Sequence, residues 1–141
     1  MVSSNARKML EAHIAGERAH DMEALMEPLS DAPSYIVPNY LVEGRDAVRA
    51  LYERSFKVMS PALLDEYLKA LDDPEVTCWG ENHCVLEYND NYPLHRGMVV
   101  VVHFEGDRIK SENTYFNTSA RFAGAAMDDG FAKLPGVTPL S

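Results

Sequence analysis

The feature that most constrains this chain is a series of strand-like segments between Val76 and Asn117, separated by short turns. Val76 to Trp79 runs through Gly80-Glu81-Asn82 into His83 to Asn89, followed by Gly97 to Glu105 and then Arg108 to Asn117. Gly106-Asp107 joins the last two as a tight hairpin, because Gly and Asp tolerate the backbone angles of a two-residue turn. The carboxyl-terminal half therefore reads as an antiparallel meander.

The amino-terminal half has helical spacing. From Asn5 to Glu17 the positions Ala6, Met9, Leu10, His13, Ile14 and Glu17 form one stripe, with Ser3 or Ser4 as N-cap and Gly16 weakening the end. A short second helix is capped by His20 or Asp21, buries Met22, Leu25 and Met26, and stops near Pro28. Tyr35-Ile36-Val37 precedes Pro38 and is biased to extended geometry. A loop then leads to Gly44 and a third helix with Val48, Leu51, Tyr52 and Phe56 on one side. After Pro61 the pattern through Leu63, Leu64, Tyr67, Leu68 and Leu71 fits helix and strand about equally, and we assign it to a strand with irregular flanks. From Ala120 onward the chain reads as a tail packed on the body, outside its core. Residues 1–141 are one domain, with a core at about 5–117 and a tail at 118–141.

Composition narrows the partners. Twenty-two Asp and Glu against thirteen Lys and Arg give a net charge of −9, which repels nucleic-acid backbones and anionic membranes. Cys78 and Cys84 form no Cys-x-x-Cys motif and have no histidine ladder nearby, so neither a metal site nor a disulfide is expected. The amino terminus carries no leader-like apolar run, which points to a cytoplasmic protein.

The segments Ala19-His20-Asp21-Met22-Glu23-Ala24-Leu25-Met26, Tyr35-Ile36-Val37-Pro38, Glu43 to Tyr52 and Val102 to Asn117 follow one another in the order and spacing of a known family. The chain resembles the SnoaL-like branch of the nuclear transport factor two-like superfamily. The resemblance implies an α+β fold, a cone-shaped curved antiparallel sheet with three amino-terminal helices around an apolar pocket. It implies no single reaction, because relatives include polyketide cyclases, ketosteroid isomerases, dehydratases, epoxide hydrolases and pure binding proteins.

The family's reactive positions hold other residues here. Val37 stands where the steroid isomerases carry a basic Asp, and Val100 where they carry an acid and the cyclases a His. Thr114 stands where the cyclases carry an Asp, and Asn117 where many relatives read Asp. His13 aligns with a tyrosine that donates to an oxyanion, and Tyr52 with a pocket tyrosine. Strand alternation puts Glu112, Thr114 and Phe116 on the face matching the family's pocket. His13 and Glu112 are thus the first catalytic pair, with His83 and Glu87 as further candidates whose strand face the sequence leaves open. Tyr35 and Tyr40 flank Pro38 near the expected mouth, and with Tyr52, Val37, Val100, Thr114 and Phe116 they make the candidate substrate-binding set. His103, with Val99 and Val101, falls on the outer face where the family's sheets pair, which predicts a homodimer; His95 falls at the rim. Two readings follow. One is a cofactor-independent cyclase, isomerase or dehydratase that moves a proton on an apolar, carbonyl-bearing molecule. The other is a ligand-binding or accessory protein of the same fold that has lost its chemistry.

Overall fold

A computed structural model describes residues 1–58, 74–88, 98–115 and 130–140. Ser3 starts α1 (Ser4–Ala19) by accepting a hydrogen bond from the Ala6 N–H, and His20 ends it in the left-handed region at φ 52°. The His20 ring stacks on Phe56 with centroids 3.9 Å apart, which ties this helix end to the third helix. Asp21 caps α2 (Met22–Met26) through the Ala24 N–H, and Leu25 and Met26 are buried as the spacing predicts. α3 (Arg45–Val58) buries Ala47, Val48, Leu51 and Tyr52, while Phe56 is half-buried. The 61–71 segment lies outside the described residues.

The strands are β1 (Leu29–Val37), β2 (Tyr40–Glu43), β3 (Pro74–Trp79), β4 (His83–Tyr88), β5 (Met98–Glu105), β6 (Arg108–Tyr115) and β7 (Val137–Pro139). They form one curved, unclosed sheet in the order β3-β4-β5-β6-β1-β2-β7. β3 to β6 is the expected meander, and β6 then pairs with β1 in parallel. Register shifts interrupt the β3/β4, β5/β6 and β1/β6 pairings, and such bulges bend and twist a sheet locally.

The bulge in β6 positions the site. His103 pairs with Ser111 but Phe104 pairs with Ile109, so Lys110 is the extra residue. Ile109 is fully buried while Lys110 is exposed, and alternation resumes beyond it with Glu112 turned inward. Ile109 and Glu112 are three apart, a spacing that in an unbulged strand would put them on opposite faces, and the extra residue lets both point inward.

Three expectations need correction. β1 starts at Leu29, well before Tyr35, because the turn-like Asp31-Ala32-Pro33 falls inside the β1/β6 irregularity, where a missing N–H costs no ladder bond. The segment expected to be a loop after Pro38 is β2, reached through Asn39 at φ 71°. Residues 130–140 of the tail belong to the core: β7 extends the sheet beyond β2, and Phe131, in the turn of 3₁₀ helix Phe131–Lys133, is fully buried with its ring edge-on to Tyr40 at 5.2 Å. Phe131→Ala should destabilise the fold by about 3–5 kcal/mol, the usual cost of emptying a buried aromatic site. Chemical denaturation measures it, and a loss under about 1 kcal/mol would return the segment to the surface role the sequence suggested.

Candidate functional site

One transverse row of the inner sheet face reads Trp79, Cys84, Val102, Glu112, Tyr35 and Val42, each opposite the next across neighbouring strands. Cys84, Val102, Tyr35 and Val42 are all buried, so Glu112 brings a carboxylate into apolar surroundings. α1 crosses above this row and supplies the partner: His13 Nε2 lies 2.9 Å from Glu112 Oε1.

The imidazole is oriented from behind. Its Nδ1–H donates to the Leu25 carbonyl at 2.8 Å, which fixes Nε2 as the nitrogen facing Glu112. Gly16 makes that bond possible, because a Cβ there would sit 2.5 Å from the Leu25 nitrogen and force α1 away from α2. The glycine that weakens the helix in the sequence is what lets the two helices touch.

Two tyrosines complete the cluster. The Tyr52 hydroxyl donates to the Tyr35 hydroxyl at 3.0 Å, and Tyr35 stands directly opposite Glu112 across the β1/β6 pairing. Both hydroxyls lie 3.3–3.4 Å from His13 Nε2, too long to compete with the carboxylate for its proton. Burial, reinforced by nearby groups including Glu112, holds both phenols well above their ordinary range, so they remain neutral donors. Glu17, one turn beyond His13, is also buried.

Burial alone would lower the His13 pKa, but the Glu112 carboxylate outweighs it, with smaller help from Glu17 and the Leu25 carbonyl, and raises it to about 9. Burial raises Glu17 to about 8, and His13 only partly offsets this. At neutral pH His13 is therefore an imidazolium and Glu17 a neutral carboxylic acid. Burial, with Glu112 close by, also pushes Cys84 up to about 12, so this thiol is inert. The His13 side chain is 1% exposed and that of Glu112 is 12% exposed, so the carboxylate is the group a ligand reaches first.

Other predicted residues fall elsewhere. Val100 is buried and Thr114 half-buried, paired with each other on the same inner face, and Val37 is half-buried beside Tyr40. Tyr35 is no mouth residue, since it sits beneath the helices at 2% exposure, whereas Tyr40 packs on Phe131. His83 and Glu87 do not join the cluster. Cys84 and Leu86 take the inner face of β4, which turns His83 and Glu87 outward beside His103 and Val99. Phe116 and His95 lie outside the described residues. Glu17 was missed as a site residue, although a carboxylate four positions after a histidine on an otherwise apolar stripe was a usable signal. A depression of about 340 Å³ lined by Glu27, Asp31, Arg45 and Arg108 shares no residue with the cluster. Among the described residues no group of three or more metal-ligating side chains occurs.

Comparison with solved structures fixes the architecture. A nuclear transport factor two-like protein of unknown function from Burkholderia xenovorans LB400 superposes with a TM-score of 0.57 at 25% identity, over 82% of this chain and 84% of that one. The chain adopts the nuclear transport factor two-like fold. A second nuclear transport factor two-like protein from the same organism gives a TM-score of 0.61 at 15% identity, over 85% and 95% of the two chains. A candidate polyketide cyclase from Pseudomonas putida KT2440 gives 0.57 at 14% identity, over 85% and 95%. Neither a family model nor a curated protein matches the sequence. Within this nuclear transport factor two-like fold, no helix among the described residues is long and apolar enough to cross a membrane.

The buried charges set a pH dependence. Folding raises His13 from 6.5 to about 9, so its stabilising contribution is complete below pH 6.5 and is lost as pH rises through about 9, where deprotonation leaves Glu112 without its counter-ion. Folding raises Glu17 from 4.5 to about 8, so its ionisation opposes the fold in the same direction. The melting temperature should fall between pH 6.5 and about 9. Glu17→Gln, neutral at every pH, should flatten part of that fall, and parallel thermal melts of both proteins check it.

Proposed function

We propose that the protein is a cofactor-independent proton-transfer catalyst of the SnoaL-like kind, a cyclase, isomerase or dehydratase, acting on a small, apolar, carbonyl-bearing molecule. The observation that carries this reading is the 2.9 Å contact between a fully buried imidazole and a carboxylate that keeps partial access to solvent. Likeness in fold to a candidate polyketide cyclase agrees with it.

In this mechanism Glu112 is the base. It takes a proton from the carbon next to the substrate carbonyl, and the electron pair of the broken C–H bond moves onto the carbonyl oxygen as an enolate. The Tyr35 O–H, whose oxygen already accepts from Tyr52, donates a hydrogen bond to that oxygen. Return of the proton to a different atom gives an isomer, and loss of a β-hydroxyl as water gives a dehydrated product. His13 does not touch substrate. Its Nε2–H holds the carboxylate in place and compensates its charge, and the Leu25 carbonyl fixes that orientation.

Hydrogen–deuterium exchange next to the carbonyl, followed by NMR across a panel of small apolar ketones in D₂O, tests the chemistry on any enolisable compound the site accepts. The expected result is exchange by the wild type that falls about 10²–10⁴-fold in Glu112→Gln and His13→Gln. Val37, Val100 and Thr114, which replace the family's usual acids and bases, favour the non-catalytic alternative. Ketone binding with no exchange would establish that alternative.

The outer face of β5 carries Val99, Val101 and His103, all half-buried in the single chain, and we read it as the contact surface of a homodimer. Sedimentation at micromolar concentration should give twice the mass of the chain, and Val101→Glu should return it to the monomer.

A further inference from the structure

The same outer face carries a feature that the proton-transfer reading leaves unused. His83 on β4 and His103 on β5 are direct cross-strand partners, and their rings stand 5.8 Å apart, centroid to centroid, at 35°. Both side chains are half-buried. We propose that His83 and His103 form a two-histidine site for a borderline divalent cation of the Zn²⁺ type.

The distance suits that role. A tetrahedral centre with Zn–N bonds of about 2.0–2.1 Å holds two imidazole centroids roughly 5 Å apart, so a small side-chain rotation closes the pair on one ion. Each ring is also held in place. The Nδ1 of His103 lies 3.2 Å from the Ser111 hydroxyl, which fixes this ring and leaves its Nε2 for the metal. Ligating histidines commonly have the second nitrogen bonded in this way. The His83 ring lies over Gly80, where a Cβ would come within 2.3–2.9 Å of three of its atoms, so the backbone there is shaped around the imidazole. The Gly80 N–H closes the turn on the His83 carbonyl at 2.8 Å and anchors the strand end that carries the ligand.

Imidazole suits Zn²⁺, Ni²⁺ and Cu²⁺ and is a poor match for Mg²⁺ or Ca²⁺. Two protein ligands leave two positions of a tetrahedron, which water fills, or the same pair from a second copy if the sheets meet there. His13, the histidine of the inner face, is closed off by Leu25 and Glu112 and does not compete for the ion.

Chelator-treated protein titrated calorimetrically with Zn²⁺ tests the site. The expected result is saturable uptake of one ion per chain or per two chains, with a Zn²⁺-dependent rise in melting temperature. Both effects should vanish in His83→Gln and in His103→Gln, persist in His13→Gln, and weaken about tenfold in Ser111→Ala. Absence of saturable uptake, uptake unchanged in the two histidine variants, or uptake lost instead in His95→Gln would each overturn the proposal. Ketone exchange by the same variants is an independent readout, so failure of the metal site and failure of the proton-transfer reading are told apart.

Discussion

Removing an imidazolium and a carboxylate from water costs several kcal/mol per ion even after relaxation, and nothing in a sheet–helix interface recovers that unless the geometry is tight. The contact between His13 and Glu112 meets this demand at 2.9 Å, and much of the surrounding architecture serves to keep it closed. Gly16 brings α1 down onto α2 so that the Leu25 carbonyl can take the second imidazole proton. The parallel pairing of β1 with β6 sets Tyr35 directly beside Glu112, and α3 supplies Tyr52 above it. Five elements thus converge on one buried charge pair, and a shift of α1 or β6 would leave an ion without its partner.

That arrangement also places the buried acid away from the positions that the resemblance marks as reactive, without leaving the surface they share. Glu112 and Thr114 are two residues apart on one strand, hence on the same face and about 7 Å apart along it. Val100, opposite Thr114, is apolar, so the acidic centre has shifted by one step of the pleat toward the helix that carries His13. Here the carboxylate is the exposed member, and the imidazole is its buried support.

The parts of the fold that were legible in the sequence are those written in local periodicity. The α1 stripe, the Ser3 cap and the Gly106-Asp107 hairpin all depend on neighbours within a few residues, whereas the inward face of Glu112 came from the family resemblance. What was hidden depends on distant partners. β2 and β7 are too short to show a period, and they form strands because they pair with each other and with β1. The face of β4 was undecided because His83 and Glu87 are polar enough for solvent and equally suited to a reactive pocket, and alternation alone does not choose between the two. The pairing of His83 with His103 joins two segments whose register no spacing rule encodes. Glu17 was visible on the stripe, but charge on a helix face usually means solvent, and only the packing of α1 against the sheet reverses that reading.

The extra residue at Lys110 gives β6 a parity as well as a bend. Removing Lys110 itself would restore strict alternation and leave Ile109 and Glu112 both inward, whereas flattening the strand with Lys110 retained would turn either Ile109 or Glu112 to the outer face. A relative one residue shorter here, with no bulge, can therefore keep the same inward face, with no substitution in the site itself. Alignments drawn across β6 without regard to the bulge would then pair inward residues of one protein with outward residues of another.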